Sequence, residues 1–191
     1  EVVGVNSRLA QRAPNAWYFQ RHGERVVYFG RYQLDFRNPE VIAHADEVVN
    51  RLVNDYGVGY IKMDYNVNAG PGTDVAADSF GDGLLMHNRA YLCWLEDVFT
   101  RYPHLVIENC SSGGMRVNYA SLSLHSIQSS SDQTNYRDNA VIAAASPTAI
   151  TPEQCAVWSY PLETANREEV VFNMVSAMLM RIHLSGRIDV L

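Results

Sequence analysis

Apolar positions recur along this chain in two alternating rhythms, helical stripes and short continuous runs. Between residues 38 and 57, Val41, Ala45, Val48, Leu52 and Tyr56 fall at three- and four-residue intervals, which predicts an amphipathic helix. Asn38 can cap it, Pro39 suits the first helical position, and Gly57 closes it. An apolar run then predicts a strand over 58–64 that climbs into Lys62, Asp64 and, just beyond, Asn66. Side chains alternate along a strand, so these three share a face. A second helix is expected over 84–101, with Leu85, Tyr91, Leu92, Leu95 and Val98 inward and Pro103 stopping it. Strands follow at 104–110, 124–131 and 155–161, and helices around 115–122, 136–145 and 168–182. The last helix shows Val171, Val175, Met178 and Ile182 on one face, and 188–191 reads as the opening of one more strand. Before all of these, 26–29 could form a short strand, and 67–82 is a long Gly/Asp/Ala-rich loop.

Strands that alternate with helices and end in polar residues are the pattern of a parallel sheet with helical crossovers. Two architectures share it, the (β/α)8 TIM barrel and the doubly wound open sheet. No G-x-G-x-x-G or Walker-type loop follows any strand, which removes the usual nucleotide-binding reading. Four to five strands are too few to close a barrel, so the chain is expected to be part of a longer protein whose first strands it lacks.

Composition narrows this little further. With 191 residues, 47% apolar and 19% charged, the chain has enough material for one domain with a core. A net charge of −6 without any basic cluster makes nucleic acid an unexpected partner, and no apolar run approaches the length of a membrane span. Residues 1–8 carry no signal-peptide pattern, and the compartment stays open. Cys93, Cys110 and Cys155 have neither disulfide-framework nor zinc spacing, so reduced thiols and no metal are expected. Asn109-Cys110-Ser111 matches a glycosylation sequon, but at the end of a buried strand. His87, His104 and His125 read as structural or surface residues, Trp94 and Trp158 as core, and Asp74, Asp78 and Asp82 as a solvated loop.

Two carboxylates remain as strand-end acids, Asp64 and Asp132. In a barrel both could face one central pocket, which is what glycoside hydrolysis needs: one group attacks the anomeric carbon while the other protonates the leaving oxygen. Asp64, two residues from the Lys62 cation, suits the ionised nucleophile, and Asp132, among hydroxyls, suits the acid. The bland alternative is a structural Lys62–Asp64 pair at a strand end.

Four motifs then point to a family. Tyr60-Ile61-Lys62-Met63-Asp64-Tyr65-Asn66 resembles the Y-I-K-W-D-M-N of melibiase-type α-galactosidases, glycoside hydrolase family 36. Residues 108–116, from Glu108 through Cys110, Gly113 and Gly114 to Arg116, are similar to its E-x-C-S-S-G-G-G-R. Ser131-Asp132-Gln133-Thr134-Asn135 resembles S-D-N-T-D, and Leu34-Asp35 with Pro39-Glu40-Val41 matches L-D-x-x-x-P-E-V. The resemblance covers nearly the whole chain and implies a TIM-barrel fragment of roughly strands four to eight. It implies Asp64 as the nucleophile and Asp132 as the general acid/base of a retaining enzyme. By the same resemblance Arg31, Lys62, Asn66, Cys110, Gly113 and Gly114 would meet an α-galactoside oligosaccharide, with no cofactor. It further implies a homo-oligomer for the full-length protein. Cys110 also reads as a small buried hydrophobe, and Arg116 as a pin for the turn. The chain departs from the family at Met63 (Trp in the family), at Ser129-Ser130-Ser131-Asp132 (W-T-S-D) and at Asn118 (Asp). Rival readings are an α-N-acetylgalactosaminidase, a galactosyltransferase of the raffinose-synthase kind, and a catalytically silent carbohydrate-binding chain.

Overall fold

A computed structural model describes residues 1–185 and 188–190, in two compact units. The first comprises Glu1–Gly59 and Tyr65–Leu105. It opens with β1 (Val2–Gly4), α1 (Arg8–Arg12), β2 (Gln20–Arg21), β3 (Glu24–Arg25), β4 (Val27–Tyr28) and β5 (Arg31–Gln33). Strands β1, β5 and β4 form an antiparallel sheet, so the strand expected at 26–29 exists but is two residues long. Helix α2 (Pro39–Asn50) starts as its caps predict, with Asn38 Oδ1 accepting from the Glu40 N–H at 2.9 Å. It then widens into a π-helical turn, Arg51–Asp55. The extra residue in that turn shifts the helical phase, so Tyr56, expected inward, is 69% exposed, while Val41 and Val49 are buried.

Helix α3 (Phe80–Arg101) begins four residues before the expected start. Ser79 Oγ caps it, accepting from the Asp82 N–H at 3.1 Å, and Gly83 in its first turns is there for contact. A Cβ on Gly83 would lie 2.2 Å from the Thr73 carbonyl oxygen, so the helix and the 67–82 loop meet backbone to backbone. That loop is tied down: Arg21 donates to the carbonyls of Ala69 and Gly72, and Asp74 Oδ2 accepts from the His22 N–H at 2.8 Å. The core of this unit gathers Tyr18, Phe19, Phe36, Val41, Leu95 and Val98. Trp94 is buried as expected, its indole N–H donating to Asp46 at 2.8 Å, whereas Leu85 points outward.

The second unit comprises Tyr60–Asp64 and the chain from Val106 onward. Its strands are β6 (Tyr60–Asp64), β7 (Val106–Cys110), β8 (Ile127–Ser129), β9 (Cys155–Ser159) and β10 (Arg181–Leu184); its helices are α4 (Tyr119–Leu122), α5 (Tyr136–Ala145) and α6 (Arg167–Ala177). The five strands form one parallel sheet in strict chain order, β6-β7-β8-β9-β10. A doubly wound sheet reverses strand order at a switch point, and this one does not.

Two expectations fail here. The helix expected to run to Ile182 ends at Ala177, and Ile182 lies in β10; the strand expected at 188–191 is a 3-10 turn at Ile188–Val190, with Leu191 outside the described residues. The stripe Val171, Val175 and Met178 misled because it is solvent-facing, at 48%, 54% and 61% exposure. The buried face of α6 is Asn173 and Ala177. Asn173 can be buried because its amide is satisfied, donating to the Tyr160 carbonyl at 2.9 Å and accepting from Ser159 Oγ at 2.9 Å. Beneath it, Ala143, Ile150, Cys155, Val157 and Ala177 form the apolar core between sheet and helices.

Candidate active site

The parallel register sets Lys62 beside Glu108, Asp64 beside Cys110, and Trp158 beside His183. Alternation then gives one sheet face the side chains of Tyr60, Lys62 and Asp64 from β6 and of Glu108 and Cys110 from β7. Asp64 is the last residue of β6 and is exposed; Asp132 follows β8 by three residues and is exposed as well. Both therefore stand at the C-terminal ends of parallel strands, the edge where α/β proteins build their sites.

Each of them acts on a less accessible neighbour, Asp64 on Cys110 and Asp132 on Tyr160. Burial pushes the Cys110 thiol up; hydrogen bonding to Ser129 and Gly113 and the Lys62 charge pull it back, and Asp64 pushes it further. Burial likewise raises the Tyr160 hydroxyl, Asp132 and Cys110 add to the rise, and Lys62 opposes it. Lys62 thus acts on both groups, and Cys110 links the Asp64 side of the site to Tyr160 and Asp132.

Lys62 has partners that sequence reasoning did not assign. Its ammonium lies 3.5 Å from Glu108 Oε1 and 4.5 Å from the centre of the Trp158 ring, a cation–π distance. Trp158, expected in the core, faces this site and meets His183 edge-on at 5.2 Å. Glu108 is the functional-face residue the sequence reading missed. One signal was available: a charged residue in an apolar run, two positions before Cys110 and hence on its face.

Gly113 and Gly114 lie against the backbone that carries Asp132. Gly113 has φ +74°, pairs with Ser131 in an isolated bridge, and a Cβ there would sit 2.4 Å from Ser131 Cα and 2.7 Å from the Asp132 nitrogen. A Cβ on Gly114 would meet the Ser130 carbonyl oxygen at 2.5 Å. The Arg116 carbonyl accepts from the amides of Asn109 and Asn118, pinning the same turn. Asn109 is 1% exposed with its amide also donating to Gln128 at 2.7 Å, which puts the sequon out of reach of modification.

Arg31 and Asn66 belong to the first unit. Arg31 is exposed on β5, its guanidinium 3.5 Å from the Phe29 carbonyl, and Asn66 is half-buried two residues past β6. Among the described residues no cluster of three His, Cys, Asp or Glu side chains could hold a metal ion.

Comparison with known proteins places the chain in a family. The chain is 32% identical over 148 residues to α-galactosidase 2 of Pediococcus pentosaceus, a match covering 74% of the chain and 20% of that enzyme. It therefore spans about a fifth of the length of that relative. Its fold matches the crystal structure of the GH36 α-galactosidase AgaA from Geobacillus stearothermophilus with a TM-score of 0.85 at 17% identity, over 100% of this chain and 27% of AgaA. An AgaA variant in complex with raffinose gives 0.82 at the same identity and coverage. The sequence signature of the Melibiase family extends over residues 1–180, and the chain belongs to that family.

Proposed function

We propose that the chain supplies strands four to eight of a (β/α)8 catalytic domain in a retaining α-galactosidase, with Asp64 as nucleophile and Asp132 as general acid/base. The observation that carries this reading is the placement of Asp64, Cys110 and Asp132 at the C-terminal ends of three adjacent strands of one parallel sheet. Membership of the Melibiase family and an α-galactosidase relative support it.

In the first step the Asp64 carboxylate attacks C1 of the terminal galactosyl unit while Asp132 gives its proton to the glycosidic oxygen. The C1–O bond breaks and a β-galactosyl ester on Asp64 forms. Asp132, now a carboxylate, then takes a proton from water, whose oxygen attacks C1 and expels Asp64. Two inversions return the α configuration, which requires the carboxyl groups to stand about 5–5.5 Å apart across the sugar. Lys62 hydrogen-bonds a sugar hydroxyl in this reading, and Cys110 lines the galactose site.

The test is Asp64→Gly in the full-length protein carrying this chain, assayed on an aryl α-galactoside with and without azide. Hydrolysis is expected to fall by at least about a thousandfold, with azide restoring turnover and yielding β-galactosyl azide. Wild-type turnover by the variant would remove Asp64 from the chemistry. A second reading rests on Ser129, a buried hydroxyl where the family has tryptophan. A smaller wall there could admit a C2 acetamido group. Faster cleavage of a nitrophenyl N-acetyl-α-galactosaminide than of the matching galactoside would favour it.

A further inference from the structure

The site face holds a carboxylate that the double displacement leaves unused. Glu108 is 1% exposed, and a buried carboxylate persists only where donors and a cation replace its hydration. Both of its oxygens are engaged. Oε1 accepts from Ser129 Oγ at 2.5 Å and lies 3.5 Å from Lys62 Nζ. Oε2 accepts from the Tyr60 hydroxyl and faces His183 Nδ1 at 3.8 Å. Burial lowers the His183 pKa, Lys62 and Arg181 lower it further, and Glu108 only partly opposes them, which leaves Lys62 as the cation. Burial and Glu108 together hold the Tyr60 hydroxyl protonated, so it stays a donor.

We propose that Glu108 is a positioning residue: it fixes the Lys62 ammonium between its own carboxylate and the Trp158 ring, presenting the remaining N–H donors to substrate hydroxyls. The inference rests on the α-galactosidase reading of the site. A lysine on its four-carbon stem is otherwise mobile, and ordering it before the sugar arrives removes that cost from binding. Freed of Glu108, the ammonium would be drawn to the remaining carboxylate on its own strand face, Asp64, and blunt the nucleophile. Ser129, small enough to sit against Glu108, completes the cradle with a hydroxyl.

A merely structural glutamate would hold β6, β7 and β8 together whether or not Lys62 were present, and a double-mutant cycle separates the two roles. Glu108→Gln, Lys62→Met and the double variant are made in the full-length protein. For each, kcat and KM on an aryl α-galactoside are measured, with affinity for a galactose-configured iminosugar by calorimetry. Glu108→Gln should lower kcat/KM by about 10- to 100-fold and weaken the iminosugar. In the Lys62→Met background it should change neither by more than about twofold. Factors that multiply in the double variant would overturn the proposal, as would wild-type kinetics for Glu108→Gln. Should Glu108→Gln fail to fold, Ser129→Ala removes one hydrogen bond and no charge. Its expected loss of about three- to tenfold should vanish in the Lys62→Met background, and persistence there would equally overturn the proposal. A wild-type protein that cleaves no α-galactoside refutes the underlying reading instead, an outcome distinct from multiplying factors in an active enzyme.

Discussion

Gly113 shows how one residue without a side chain governs another that has one. Its φ of +74° is left-handed, and the space where a Cβ would stand is already filled by Ser131 and the Asp132 nitrogen. Gly30 provides the control, with φ +69° and nothing within 4 Å of its absent Cβ. Gly30→Ala should therefore cost only the left-handed penalty, about 1 kcal/mol, while Gly113→Ala adds a backbone clash and should cost about 2–4 kcal/mol. Urea unfolding of the two variants measures the difference. Gly113→Ala should also reduce turnover, because the backbone it displaces carries Asp132; equal stability losses and unchanged activity would show that the contact yields freely. The family motif marked these glycines, but not what they touch. That needed the pairing of Gly113 with Ser131, a contact between segments eighteen residues apart, and no local pattern encodes it.

Elements of the first unit are joined by a buried acid at their meeting point. Asp35, 3% exposed, accepts from Arg37, whose guanidinium also donates to the Val75 carbonyl at 2.8 Å, and it lies 3.7 Å from His87 of α3. Burial alone would raise its pKa; the Arg37 hydrogen bonds and charge, with the His87 ring alongside, outweigh that and hold it at about 2. Because the folded value lies below the unfolded one, the interaction stabilises fully above about pH 4 and is lost as pH falls towards 2. The shift corresponds to about 2 kcal/mol. Denaturant midpoints recorded between about pH 5 and 2 should fall more steeply for wild type than for Asp35→Asn, and parallel profiles would exclude Asp35 as the linked group. The sequence made α2 legible because its caps are local, and it made β6 and β7 legible because each is a single apolar run. It misplaced α6 and β10 because burial of Asn173 and Ala177 depends on a tertiary partner, the Tyr160 backbone, while the apolar stripe that looked like a core face looks outward.

At the scale of the molecule, the placement of polar residues at strand ends was the most legible feature. In a parallel sheet each strand delivers its last residues to the same edge, so motifs far apart in sequence need no long-range information to be placed together. Lys62, Asp64, Cys110 and Asp132 were readable for that reason. For Glu108 the sequence offered only its face, since its partners depend on the register that sets it beside Lys62 and on the Ser129 hydroxyl reaching it from β8. The same sheet has consequences for association. Among the described residues β10 pairs only with β9, so the sheet has an open edge at β10. Val171, Phe172, Val175, Met178 and Leu179 are all roughly half exposed or more, and several of them line an open groove with Tyr136. Contiguous apolar surface and unpaired strand edges both recruit further protein. The 191 residues expressed alone should therefore self-associate, with a mass by light scattering that rises with concentration. Phe172→Glu combined with Val175→Lys removes apolar surface from the helix without touching the sheet. If the helix face drives association, the double variant should run as a monomer at concentrations where wild type does not. If the strand edge drives it, the variant should associate like wild type, and charges on the exposed edge of β10 should be needed instead.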